Sequence, residues 1–120
     1  MGEFKFTAEA ASFIVEAEGK KLRVSFEEVY LPWNNAQKWC KEHGGGGESV
    51  DNLRFLAKYR EQINKELRAL GKEPLGGWGW TDERSYIAPE ATAFVVSLDY
   101  GYVYTLDQNN IISVRAVSAL

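Results

Sequence analysis

Cys40 and His43 stand three residues apart in a segment whose apolar spacing is helical. Residues three apart share one face of a helix, so the thiol and the imidazole could approach each other, and a thiolate beside a histidine can act as a nucleophile. The same two residues also continue an apolar stripe, where a free cysteine behaves as a small hydrophobic side chain. Because catalysis also needs an orienting group within reach, we favour the apolar interpretation and expect no enzymatic activity.

The other residues that could do chemistry are few. Asp82 and Glu83 are adjacent carboxylates after an aromatic run, and we expect a solvated loop there, since no separated carboxylate partner for acid–base work is identifiable. One cysteine cannot form a disulfide within the chain, and one cysteine with one histidine cannot build a structural zinc site. The sequence therefore predicts no cofactor and no metal.

Aromatic rings in the C-terminal half are the better candidates for a ligand site. Such rings stack on sugars or anchor protein interfaces, and neighbouring polar groups fix the ligand's orientation. The candidates are Trp78, Tyr86, Tyr102, Tyr104, Asn109, Asn110 and Arg115. The alternation of Tyr102, Tyr104 and Leu106 is more often that of a half-buried sheet than of a binding platform, so a structural interpretation of the tyrosines stays open.

Length and composition limit what kind of protein positions these residues. A chain of 120 residues that is 45% hydrophobic has the size and apolar content of a single domain, residues 1–120. Its net charge is −3 and its basic residues are scattered, which argues against a nucleic-acid partner. No stretch approaches the ~20 apolar residues of a membrane span, and Met1 to Ala10 lacks the apolar segment of a secretory signal. We therefore expect no membrane insertion.

Strands are predicted at the start of the chain and helices in its middle. Alternation from Phe13 to Phe26 around a turn at Gly19 predicts an N-terminal β-hairpin. A first helix is predicted after Pro32, and the run from Gly44 to Gly47 ends it. Its apolar stripe comprises Trp33, Ala36, Trp39, Cys40 and His43. We expect both tryptophans in the core.

The second helix is the longest element that the pattern predicts. Ser49 is placed to cap it, its apolar stripe from Leu53 to Leu70 spans about five turns, and Gly71 and Pro74 stop it. Aromatic and β-branched residues follow, with turns at Asp99 to Gly101 and Asp107 to Asn110. The C-terminal third is therefore predicted to be an antiparallel β-meander, and the domain to be α+β.

That order of elements, with several short motifs, resembles the C-type lectin-like fold and, more narrowly, the bacterial major paralogous domain families of unknown function. The motifs are Trp33-Asn34-Asn35-Ala36-Gln37-Lys38-Trp39-Cys40, Gly44-Gly45, Ser49 to Leu53, Trp80-Thr81-Asp82-Glu83 and Ser113-Val114-Arg115-Ala116-Val117, within a likeness that covers roughly residues 22 to 120. The resemblance implies that Trp80 lies in the core. Two features depart from the families: the junction Gly46-Gly47-Glu48-Ser49 and a longer second helix.

The resemblance implies a lectin-like binding module of a secreted or surface protein that recognises a protein or a glycan. In many relatives the cysteine of the first helix pairs with one in the last strand, where this chain has Ala116, so Cys40 should be free. The calcium-binding motifs of the animal lectins are absent, and Asp107 to Asn110 fits a turn as well as a ligand set, so a calcium-independent site is expected. The alternative is an assembly domain whose aromatic face packs against another subunit or domain, and this leaves room for a homo-oligomer.

Overall fold

Two β-sheets and three helices make up the chain in the computed structural model, which describes residues 3–120. The elements follow one another as β1 (Lys5–Ala8), β2 (Ser12–Ala17), β3 (Lys20–Ser25), β4 (Val29–Leu31), α1 (Trp33–Glu42), α2 (Val50–Lys58), α3 (Arg60–Ala69), β5 (Trp78–Arg84), β6 (Thr92–Ser97), β7 (Val103–Asp107), β8 (Ile112–Val114) and β9 (Val117–Ala119). The prediction of an α+β domain is confirmed. No helix within residues 3–120 has both the length and the apolar character that crossing a membrane requires.

The first sheet contains the predicted hairpin and has the strand order β1-β2-β3-β9, with every pair antiparallel. The hairpin joins β2 to β3 through a turn in which Glu18 and Gly19 both have positive φ. Alternate side chains of β2 and β3, among them Phe13 and Leu22, are fully buried because one face of this sheet covers the core. The N-terminal strands thus pair with the last strand of the chain.

The second sheet has the order β4-β8-β5-β6-β7. Strands β5, β6 and β7 form an antiparallel meander, in which β6 and β7 pair as predicted. The last two strands differ from the prediction: β8 crosses back to lie parallel to β5 on its other side, with Gly79 opposite Ser113, and β9 joins the first sheet. Each of these strands has three residues. So short an alternation of apolar and polar residues can indicate a strand, but it does not indicate which strand is its partner.

The helices differ from the prediction at one point. The side chain of Ser49 caps α2 by accepting a hydrogen bond from the backbone N–H of Asn52 at 3.1 Å, as predicted. The predicted five-turn helix is interrupted at Tyr59, where φ is −103° and ψ is 17°, and α3 begins at the next residue. Buried apolar residues lie on both sides of the break, Leu53 and Leu56 on α2 and Ile63 and Leu67 on α3, so the predicted stripe continues through it.

The core lies on both faces of the second sheet. Val95 and Val96 are neighbours on β6, so their side chains point to opposite faces, and both are fully buried. Val96 packs with residues of the first sheet, α2 and α3, whereas Val95 packs with Trp80, Trp33 and other residues of α1. The predicted core positions of Trp33 and Trp80 are confirmed, while Trp39 is half-buried against the same cluster.

Candidate binding surface

Four aromatic side chains lie exposed on the meander of the second sheet, and we call them the aromatic surface: Trp78, Tyr100, Tyr102 and Tyr104. Their exposed fractions are 39%, 76%, 60% and 53% in that order. The rings of Trp78 and Tyr104 meet edge to face with centroids 4.9 Å apart, and those of Tyr100 and Tyr102 stack at 5.9 Å. Large aromatic rings that pack on each other and remain in contact with solvent are typical of binding sites.

Strand register brings three of these rings to one face, whereas Tyr100 lies in the turn after β6 and also lines a cleft with α2. Trp78 on β5 lies opposite Ser97 on β6, and Val95 lies opposite Tyr104 on β7. Residues opposite each other, or two apart on one strand, point to the same face of the sheet, so Trp78, Tyr102 and Tyr104 share it. A shallow cleft of about 250 Å³ lies here, lined by Trp78, Val95, Tyr104, Thr105 and Leu106. Farther along the strands, the same face of the sheet packs against α1 in the buried cluster that contains Trp80.

The turn between β6 and β7 is held by polar contacts. The Oγ of Ser97 accepts the backbone N–H of Tyr100 at 3.1 Å, and the carboxylate of Asp99 accepts that of Gly77 at 3.0 Å. Gly101 has φ of 80°, a backbone conformation that favours glycine. Tyr100 was not among the predicted site residues, although an aromatic residue inside a tight turn is a signal for an exposed ring. The turn presents Tyr100 and Tyr102 on a fixed backbone.

Tyr86 is separated from the aromatic surface. It lies in the loop between β5 and β6 with 89% of its surface exposed, and its ring packs edge to face on Phe94 at 5.5 Å. Phe94 neighbours Val95 on β6 and therefore points to the other face of the sheet. The structure thus places this predicted site residue across the sheet from Tyr104.

Asn109 and Asn110 lie at the far end of β7. Tyr102 and Asp107, which begins their turn, are five positions apart along the strand, a distance of about 17 Å. The carboxylate of Asp107 accepts the backbone N–H of Asn109 at 2.8 Å, and its carbonyl accepts the side-chain amide of Asn110 at 3.0 Å. The predicted combination of amides beside aromatic rings does not form within one copy of the chain.

Arg115 is buried, so it is not part of the aromatic surface. Its guanidinium donates to four backbone carbonyls at 3.1–3.3 Å, those of Ser25, Phe26, Glu73 and Pro74. The carboxylate of Glu28 lies 4.0 Å away. Burial lowers the pKa of Arg115, and Glu28 opposes that shift. The arginine joins the segment after β3 to the segment before β5, which is a structural role.

The side chains of Cys40 and His43 point to different surroundings. The thiol is buried and donates to the carbonyl of Arg115 at 3.7 Å. The exposed imidazole stacks on Trp39 with ring centroids 4.1 Å apart, and its Nδ1 lies 2.8 Å from the Trp39 carbonyl. Burial, with the nearby Glu48 carboxylate adding to it, raises the pKa of the thiol far above its ordinary value. The thiolate that nucleophilic chemistry requires is therefore disfavoured.

The buried thiol predicts a specific dependence of stability on pH. A pKa that is higher in the folded than in the unfolded state makes the folded state bind more protons, so stability falls as pH rises above about 8.5. We expect urea titrations to show wild type losing up to about 1.4 kcal/mol per pH unit there relative to Cys40→Ala. The alanine variant carries the same other titrating groups. Parallel pH profiles for the two proteins would contradict the prediction.

The adjacent carboxylates Asp82 and Glu83 do not lie in a solvated loop, as the sequence suggested, but within β5, and both are half-buried. Glu83 accepts the backbone N–H of Val50 at 2.8 Å and so caps the first turn of α2 from the sheet. Burial, followed by the charges of Glu48 and Glu83, raises the pKa of Asp82. No group of three or more Cys, His, Asp or Glu residues suited to a metal ion occurs within residues 3–120.

A larger cleft of about 500 Å³ lies away from the aromatic surface, beside β2, β3 and the C-terminal ends of α1 and α3. Its charged and aromatic lining includes Arg23, Phe26, Glu27, Trp39, His43, Lys72 and Glu73. Several of these groups are already engaged: Arg23 pairs with Glu9 at 2.8 Å, and Lys72 lies 4.8 Å from the centre of the Phe26 ring. Sequence reasoning did not predict this cleft, because its lining comes from five separate segments.

Comparison of the chain with protein-family models, with curated proteins and with solved structures finds no match in any of the three.

Proposed function

We propose that the chain is a C-type lectin-like binding module that recognises a protein or a glycan, without calcium and without catalysis, through its aromatic surface. The observation that carries this proposal is the presence of two packed, exposed ring pairs at one end of a hydrogen-bonded sheet, Trp78 with Tyr104 and Tyr100 with Tyr102. The strand order supports the fold assignment in one respect, since the N-terminal strands and the last strand of the domain pair through β3 and β9.

Exposed aromatic rings on a stiff backbone are suited to binding. Tyrosine and tryptophan bury a large contact area while losing little side-chain entropy, because each has only two rotatable side-chain bonds. A few such residues commonly supply most of the free energy of an interface. The β5-β6-β7 meander and the Ser97 hydrogen bond to the turn hold the rings in place before a partner arrives. Such preorganisation lowers the entropic cost of binding.

Binding should be detectable through tryptophan fluorescence, because Trp78 is the most exposed of the four tryptophans. We expect a saturable change when a panel of soluble oligosaccharides and cell-wall fragments is titrated, equal in calcium and in chelator. Tyr102→Ala and Tyr104→Ala each remove an aromatic anchor and should weaken binding roughly 30-fold or more, as for interface hot spots. Circular dichroism checks that the variants remain folded.

Tyr86→Ala is the matched control, because Tyr86 is exposed on the opposite face and should leave the affinity unchanged. If Tyr86→Ala loses affinity while Tyr102→Ala retains it, the site lies on the face that carries Phe94 and Tyr86, which would overturn the proposed position of the site. Binding that requires calcium would overturn the calcium-independent mechanism.

An assembly role is the second candidate, and the position of the aromatic surface favours it. Tyr104 lies on β7, which is an edge strand of the second sheet. An exposed edge strand offers unpaired backbone groups beside its side chains, so another chain can add to the sheet there.

A further inference from the structure

Strand β7 is the least protected sheet edge within residues 3–120. The four edge strands are β1, β9, β4 and β7. Strand β1 begins with Lys5, and β4 has only three residues and is followed by Pro32; these features discourage edge pairing. On β9, Gly47 and the carboxylate of Glu48 already bond the backbone of Val117. Strand β7 has five residues, Val103–Asp107, with no lysine, arginine or proline.

The backbone groups that β7 directs outward follow from its pairing with β6. The carbonyl of Tyr102 accepts the N–H of Ser97 at 2.8 Å, and the N–H of Gln108 donates to the carbonyl of Ala91 at 2.8 Å. Inward-bonded and outward-directed residues alternate along an antiparallel strand, so the even-numbered residues of β7 bond β6. The N–H and C=O groups of Val103, Thr105 and Asp107 therefore point away from the sheet. Among them, the carbonyl of Asp107 already accepts from the backbone and the side chain of Asn110.

We propose that this edge pairs with the β7 edge of a second copy of the chain, antiparallel and centred on Thr105. The proposal deepens the assembly role just proposed and names its partner. In this two-fold register each outward-directed residue meets another one: Thr105 faces Thr105, and Val103 faces Asp107. About four main-chain hydrogen bonds form, because the carbonyl of Asp107 already accepts from Asn110 of its own chain. The single charged residue of each strand, Asp107, faces a valine, so no like charges are opposed.

The same register assembles a groove that one copy lacks. Val103 lies opposite Asp107 of the second copy, so the turn of that copy that carries Asn109 and Asn110 begins next to the turn that carries Tyr100. Side-chain amides from one copy then neighbour the aromatic surface of the other. Aromatic rings with adjacent amides can stack on a polar ligand and fix its orientation, so the dimer would carry two such grooves.

The mass in solution tests the pairing without any ligand, so its outcome is separate from that of the binding titrations. Light scattering over a wide concentration range should give twice the monomer mass of 13.5 kDa for the wild type. Thr105→Lys places two lysines opposite each other and should give 13.5 kDa with an unchanged circular dichroism spectrum. Thr7→Lys is the matched control on the exposed edge strand β1 and should remain dimeric.

A crosslink tests the register itself. Residues directly opposite at a hydrogen-bonded site lie about 5.5 Å apart at Cα, within disulfide range, so Thr105→Cys should form a covalent dimer under oxidised glutathione. Thr7→Cys should stay monomeric on a non-reducing gel, and the native Cys40 is buried. A wild type that is monomeric throughout the concentration range, a dimeric Thr105→Lys, or a Thr105→Cys protein that does not crosslink would overturn the proposal.

Discussion

Replacing Arg115 by methionine is expected to lower the free energy of unfolding by about 3–5 kcal/mol, because breaking a buried charged network leaves its other members unpaired. Methionine fills similar space without donating hydrogen bonds. Four backbone carbonyls would lose their donor, and the carboxylate of Glu28 would lose the nearest positive charge. Urea unfolding followed by circular dichroism measures the difference.

Two further variants separate the geometry of Arg115 from its charge. Arg115→Lys keeps the charge but cannot reach carbonyls on two segments at once, so it should recover only a minor part of the loss. Arg54→Met makes the same change on the exposed side of α2 and should alter stability by less than about 0.5 kcal/mol. If Arg115→Met unfolds like the wild type and instead loses ligand affinity, the arginine belongs to a binding site.

Local patterns in the sequence predicted much of the fold. Alternation around Phe13 and Leu22 indicated the hairpin, since one face of a two-layer sheet must be apolar. Ser49 marked the start of α2, because its hydroxyl satisfies a backbone N–H that the helix leaves free. These features depend on neighbours within a few residues. The break at Tyr59 was missed: the side chain of Tyr59 contacts Phe4 and Glu18, which are distant in sequence, and the helical spacing of apolar residues does not indicate such contacts.

The candidate site could be predicted only in part. The aromatic character of Trp78, Tyr102 and Tyr104 made them candidates from the sequence alone. That they share one face of the sheet follows from the strand register, which the structure gives. In the sequence, Arg115 is a charged residue that follows Val114 in a short strand-like segment, and charged residues are usually found on the surface. Only tertiary structure shows that its four acceptors converge on it from other segments. Burial of a charged group is a non-local property, so neither composition nor spacing indicates it.

Glu48 is a second charged residue whose burial the sequence did not indicate. It lies in the glycine-rich junction Gly46-Gly47-Glu48-Ser49, which differs from the corresponding junction of the major paralogous domain families. Its side chain is buried, and its carboxylate accepts the backbone N–H of Val117 at 2.7 Å and that of Gly46 at 3.1 Å. A side chain at Gly45 would clash with this carboxylate and with the carbonyl of Cys40, so glycine is required for the approach. The carboxylate thus fastens the junction between α1 and α2 to β9.

Replacing Glu48 by alanine should therefore cost about 3 kcal/mol or more, since it leaves the buried N–H of Val117 and that of Gly46 without acceptors and opens a cavity. Glu48→Gln retains one acceptor oxygen and should cost less, about 1–2 kcal/mol. Glu42→Ala, at an exposed position on α1, is the control and should change stability by less than about 0.5 kcal/mol. Amide hydrogen exchange measures where stability is lost in Glu48→Ala. Exchange should become faster mainly at Val117, whose N–H loses its acceptor. A uniform loss of protection along the chain would show that Glu48 acts only through general packing.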